Sequence, residues 1–159
     1  ASDVYKRQPR EKFQEEVSQE LARYEADWQD QLAADAEFAR RLLRSFRPLI
    51  AHATLTQFVE AYYVAVSVAA VTPHDTELDA GDCLKRCFAH ARQAYRRRRI
   101  SSEASIGKLL FQNGYKWMEN RGLTASGGPE VAEQRAAARQ GLRELMHRLQ
   151  RIQVLALPD

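Results

Sequence analysis

Between Leu49 and Val71 the chain carries one formal charge, Glu60. The run Thr54-Leu55-Thr56-Gln57 has the pattern of a capping box, with Thr54 as N-cap and Gln57 reaching back. A helix is therefore predicted through Phe58, Tyr62, Tyr63, Val66 and Val68, ending before Pro73. Apolar residues lie on most of its sides, which suits a helix at the centre of a core. A membrane span is not expected, because no run of about 18 apolar residues occurs. A carboxylate at the bilayer midplane would also cost roughly 2.5–3.5 kcal/mol. Buried, Glu60 needs a partner, and an arginine from a neighbouring helix is the expected one.

Helical periodicity continues on both sides of this segment. Phe13, Val17, Leu21, Tyr24, Trp28 and Leu32 recur every three or four residues, predicting one long amphipathic helix with Glu15, Glu16, Arg23 and Asp30 opposite. Phe38, Leu42, Leu43 and Phe46 form a second run, and Pro48 disfavours helix at Arg47. After a polar connection over 72–81, Leu84, Cys87, Phe88, Ala91 and Tyr95 share one face of a helix that ends in Arg96-Arg97-Arg98-Arg99. Ser101 or Ser102 is expected to cap the next helix, with Glu103 in its first turn. Ile106, Leu109, Leu110, Trp117 and Met118 are its stripe, and Gly122 is its left-handed stop.

Residues 124–128 read as a flexible linker, and Pro129 fits the first turn of a last helix. Its seam of Ala138, Leu142, Leu145, Leu149, Ile152 and Ala156 covers fewer than three heptads, which favours intramolecular docking over dimerisation. No strand alternation and no repeat is visible. The expected fold is all-α, a bundle of about six helices with a central buried hydrophobic helix. A length of 159 residues suits one domain. The opening Ala1 to Gln8, with no initiator methionine, reads as a non-native adapter-derived scar. Residues 9–159 are expected to be a single helical domain cut from the C-terminal part of a longer protein.

Charge is distributed unevenly. Residues 48–79 carry no basic and four acidic side chains, whereas residues 80–121 carry ten basic and three acidic ones. The excess centres on Arg96, Arg97, Arg98 and Arg99, which are candidates for contact with phosphate or lipid headgroups. Cations at a helix C-terminus also offset the macrodipole, a purely structural use of the same residues. Two readings follow from the charge: a small basic helical module that binds nucleic acid, or one that docks on an anionic membrane surface. The arginines end a helix without a recognisable helix-turn-helix, which counts against nucleic acid.

Catalytic chemistry is sparse. Cys83, Cys87 and His90 share a helix face, yet a structural zinc needs four ligands and no second Cys/His pair has fingerlike spacing. Neither a metal nor a cofactor is expected. Two cysteines four residues apart do not make a disulfide framework. Gly127-Gly128 lacks the lysine and hydroxyl partners of a phosphate loop. A histidine five residues ahead of an aspartate would suggest an acyltransferase base. That place holds Gln57 after His52 and Tyr95 after His90, and the expectation is that no such pair exists and that no active site is complete.

From Arg99 to Leu123 the residues Arg99-Ile100, Ser102, Ser105, Lys108, Leu110-Phe111 and Asn120-Arg121-Gly122-Leu123 fall in a register that resembles the C-terminal region of bacterial and mitochondrial-type glycerol-3-phosphate acyltransferases. Upstream, Phe58-Val59-Glu60-Ala61-Tyr62 is similar to that family's Glu-Ala-Tyr helix. The likeness spans roughly residues 38–155. Gly107 and Gly114 depart from it where the family prefers small helix formers, and are expected to weaken the helix or admit another helix closely.

The resemblance implies a parent enzyme that transfers an acyl group from acyl-CoA or acyl-carrier protein to the sn-1 hydroxyl of glycerol 3-phosphate in phospholipid synthesis. It implies that the catalytic His-x-x-x-x-Asp pair belongs to an N-terminal acyltransferase domain, so no catalytic residue is carried onto this chain. The remaining helical domain would be inactive alone, pack on that domain, and lie peripherally at the cytoplasmic face of the inner membrane.

Overall fold

The computed structural model describes residues 10–35, 37–45 and 51–156. The expected scar at residues 1–8, the apolar contribution of Phe46 and the break at Pro48 lie outside them, as do the side chains of Phe13, Leu43 and Ala156. Among the described residues the chain is all-α, with seven α-helices and one short 3-10 turn. Two compact units divide it, Ala1–Phe46 and Arg47–Asp159.

The first unit holds α1 (Arg10–Tyr24), α2 (Trp28–Ala34) and α3 (Phe38–Ser45). The single long helix expected here is in fact two. The chain leaves helical hydrogen bonding at Glu25–Asp27, and Asp27 becomes the N-cap residue of α2. Gln31 Nε2 donates to Glu25 Oε1 at 2.8 Å and to Asp27 Oδ1 at 2.9 Å, closing the corner. Tyr24 and Trp28 keep helical spacing across that corner, so periodicity alone does not reveal it. Val17, Tyr24 and Leu32 are exposed, and Phe38 is buried under the Arg41 guanidinium, 5.9 Å above its ring.

The second unit is built around α4 (Ala51–Ala70). The helix is already formed at Ala51, so Thr54 lies inside it and is not its N-cap. His52 accordingly sits on α4 and is buried, and its carbonyl accepts from Thr56 Oγ1 at 2.6 Å. Ala61 and every residue from Val64 to Ala69 are buried, as a central helix requires. Around it pack α5 (Ala80–Arg96), the turn Glu103–Ser105, α6 (Lys108–Glu119) and α7 (Pro129–Ala156).

Asp79 starts α5 by accepting from the Asp82 N–H at 2.9 Å. The serines do not cap α6. Ser102 caps only the Glu103–Ser105 turn, and α6 begins at Lys108 after Gly107. Its buried face is Phe111, Gly114 and Met118, with Leu109 turned out at 68% exposure. A Cβ on Gly114 would stand 3.2 Å from Ala65 Cβ, so this glycine admits α4 closely, as expected. Gly122, at φ 69°, ends the segment in the left-handed conformation. On α7 the buried seam is Leu142, Met146 and Leu149, with Leu145 exposed.

Two buried charged groups tie these helices together. Glu60, 1% exposed, meets no arginine among the described residues; serines take the place expected for it. Its Oε1 accepts from Ser101 N–H at 2.6 Å and Ser101 Oγ at 2.7 Å. Its Oε2 accepts from Ser102 N–H at 3.1 Å and Ser105 Oγ at 2.5 Å. Four donors thus satisfy the buried carboxylate, two of them otherwise orphaned backbone amides.

Arg135 of α7, also 1% exposed, bonds only carbonyls among the described residues. Nε donates to Leu123 O at 2.8 Å, Nη2 to Ala125 O at 3.1 Å, and Nη1 to Ala69 O, Thr72 O and Pro73 O at 3.1–3.4 Å. These carbonyls include the end of α4, where the helix dipole favours a cation. The 124–128 segment is bonded elsewhere too: Leu78 N–H donates to Thr124 O at 2.9 Å and Gly127 N–H to His74 O at 2.7 Å.

Candidate functional site

The arginine run ends α5 in a Schellman turn. Arg99 N–H donates to Ala94 O at 2.8 Å and Arg98 N–H to Tyr95 O at 2.9 Å, the two bonds that define the motif. Arg98 has φ 53°, a left-handed conformation in which glycine is usual and a side chain costs about 1 kcal/mol. Just beyond the turn, Ile100 is buried, and Ser101 is bound by Glu60. The turn is therefore pinned from both sides, which holds Arg98 and Arg99 in place.

Opposite this turn runs one face of α7. Arg139, Arg143 and His147 recur every four residues and project on the same side. Together the turn and the helix face border an open surface cleft of about 570 Å³ lined by the exposed Arg98, Arg99, Arg139, Arg143 and His147, with Tyr63 of α4 also at its wall. No carboxylate lines it, and no ion pair occupies any of these four arginines among the described residues. The cleft is a concentration of positive charge in a concave surface.

Its field reaches His90 on α5. Burial first, then the charges of Arg99 and Arg139, hold the His90 pKa below its ordinary value. Cys83 and Cys87 are free and buried, with sulfurs 3.9 Å apart. Hydrogen bonding with Cys83 and then burial push the Cys87 thiol up. Among the described residues no three His, Cys, Asp or Glu side chains stand together as a metal site.

Of the four arginines expected at a phosphate or headgroup site, the structure brings Arg98 and Arg99 to the cleft, while Arg96 and Arg97 are exposed outside its lining. Sequence reading missed Arg139, Arg143 and His147. The signal was present in their four-residue spacing, but the partner surface 40 residues upstream is visible only after folding.

The expectation that no histidine precedes an aspartate by five residues fails on the sequence itself: His74 and Asp79 stand in that spacing. The structure assigns each a separate task. His74 Nδ1 lies 3.1 Å from Gly127 O, and the Asp79 carboxylate caps α5. No hydrogen bond or ion pair joins the two, and both are exposed.

The family model for the glycerol-3-phosphate acyltransferase C-terminal region matches residues 2–127, most of the chain and every element up to the start of α7. No solved structure matches the chain. With residues 2–127 matched, the chain belongs to the glycerol-3-phosphate acyltransferase C-terminal-region family.

Proposed function

We propose that this chain is a non-catalytic helical domain of a glycerol-3-phosphate 1-O-acyltransferase, whose parent enzyme acylates sn-glycerol 3-phosphate from acyl-CoA or acyl-carrier protein. The chemistry is assigned to an acyltransferase domain outside these residues. The observation that carries this reading is the separation of His74 from Asp79. In a His-x-x-x-x-Asp pair the two side chains act together, whereas here the Asp79 carboxylate accepts from the Asp82 N–H in the first turn of α5. His74 faces a backbone carbonyl instead.

The domain's place is proposed to be peripheral, on the cytoplasmic face of the inner membrane and against the catalytic domain. No helix of the described residues is long and apolar enough to cross a bilayer, which is consistent with that assignment. Purified chain should form no 1-acyl-sn-glycerol 3-phosphate from either acyl donor. Product that disappears in the His74→Ala and Asp79→Ala variants would overturn the reading and assign the pair a catalytic role.

A further inference from the structure

We propose that the cleft between the Arg98–Arg99 turn and α7 is a binding site for phosphoryl groups. It does not depend on where acyl transfer occurs. Three observations carry it. First, Arg98, Arg99, Arg139 and Arg143 all line the cleft, with no carboxylate in the lining and no ion pair to any of them among the described residues. A guanidinium fork matches two oxygens of a phosphate, and four of them call for a ligand carrying more than one negative charge.

Second, the macrodipole accounts for cations at the end of α5 but not for Arg139 and Arg143, which lie in the middle of α7. All four arginines are exposed, so a bound anion would find them accessible and would supply the counter-charge they lack in the lining. Third, Arg98 occupies the left-handed position where glycine is the unstrained choice. Strain kept at a position whose side chain lines a charged cleft points to a use for that side chain. The cleft is concave and about 570 Å³, room for a diphosphate with part of the molecule that bears it. Arg139, Arg143 and His147 all lie beyond the residues matched to the family, so the site joins the matched region to the helix that follows it.

Inorganic pyrophosphate is the probe for the full chain, with calorimetric titration and the His90 and His147 ring resonances as readouts. Saturable binding should shift both rings, and Arg139→Gln with Arg143→Gln should weaken it at least tenfold. Arg98→Gly should weaken binding while leaving the melting temperature equal or higher, which separates ligand contact from folding. Arg96→Gln, outside the cleft, should leave affinity within twofold. Vesicles of phosphatidylcholine with and without phosphatidate distinguish the source. Phosphatidate-dependent binding that needs Arg139 and Arg143 identifies a lipid headgroup. Pyrophosphate binding without vesicle binding identifies a soluble phosphate ester; either supports the site. Equal pyrophosphate affinity in wild type and the double variant would overturn it. So would an equal loss in Arg96→Gln, or duplex DNA binding that depends equally on all of Arg96 to Arg99.

Discussion

The Ser105 hydroxyl donates to Glu60 Oε2 at 2.5 Å, joining the central helix to a turn 45 residues later in the chain. Ser101 and Ser102 complete the same cradle, and all of its donors lie on the short segment between the arginine run and α6. One buried carboxylate therefore orders the path that carries Arg98 and Arg99 to their cleft.

Removing that carboxylate should be severe. Glu60→Ala leaves two backbone amides and two hydroxyls without their acceptor, at a cost of about 3–5 kcal/mol. Ser105→Ala removes a single donor and should cost about 1–3 kcal/mol. Urea unfolding followed by circular dichroism would give both values, with the midpoint falling further for Glu60→Ala. A smaller effect for Glu60 than for Ser105 would contradict the cradle.

Arg135 should resist conservative replacement. Lysine keeps the charge but loses the planar fork that serves five carbonyls on two sides at once. Arg135→Lys is expected to destabilise by about 1–3 kcal/mol, and Arg135→Met by more, because buried carbonyls are then left unmatched. Thermal unfolding of the three proteins would order them as wild type, lysine, methionine.

Gly114 faces Ala65 across the contact of α4 and α6, at a separation that already leaves a Cβ only 3.2 Å from its neighbour. Alanine gains about 1 kcal/mol of helix propensity, which offsets this crowding. Gly114→Val adds a whole isopropyl group to a filled site and should cost about 1–3 kcal/mol. A melting temperature unchanged in the valine variant would mean that the helices separate without penalty.

The pH dependence of stability should carry the mark of His90. Its folded pKa lies below the ordinary 6.5, held down by burial and then by Arg99 and Arg139. Below that ordinary value the unfolded chain takes up a proton that the folded chain refuses. This contribution to stability is therefore complete above pH 6.5 and is lost as pH falls toward the folded pKa. His90→Gln should flatten the unfolding profile in that acidic window. Nuclear magnetic resonance titration of the ring would place its midpoint below 6.5, and pyrophosphate should raise it by neutralising the two arginines.

Helix content and the central position of α4 were legible because burial of a face imposes a period on the sequence, and a charge-poor run permits burial on every side. The corner at Glu25–Asp27 was not, since the apolar spacing from Tyr24 to Trp28 passes through it unbroken. The α6 start is displaced for a related reason: Ser102 does cap a turn, but that turn stops at Ser105, whose hydroxyl is bonded to Glu60, and α6 begins only at Lys108.

Local order along the chain thus decided the helical character of its segments, the Gly122 stop and the place of the arginine run, because periodicity, left-handed backbone and charge are properties of neighbours in sequence. Tertiary structure decided what the charges do. Glu60 found serines instead of an arginine, Arg135 found carbonyls, and Arg98 and Arg99 came to face Arg139 and Arg143. Such pairings depend on which helix faces meet in space, and side chains 40 or more residues apart carry no mark of one another until the core brings them together.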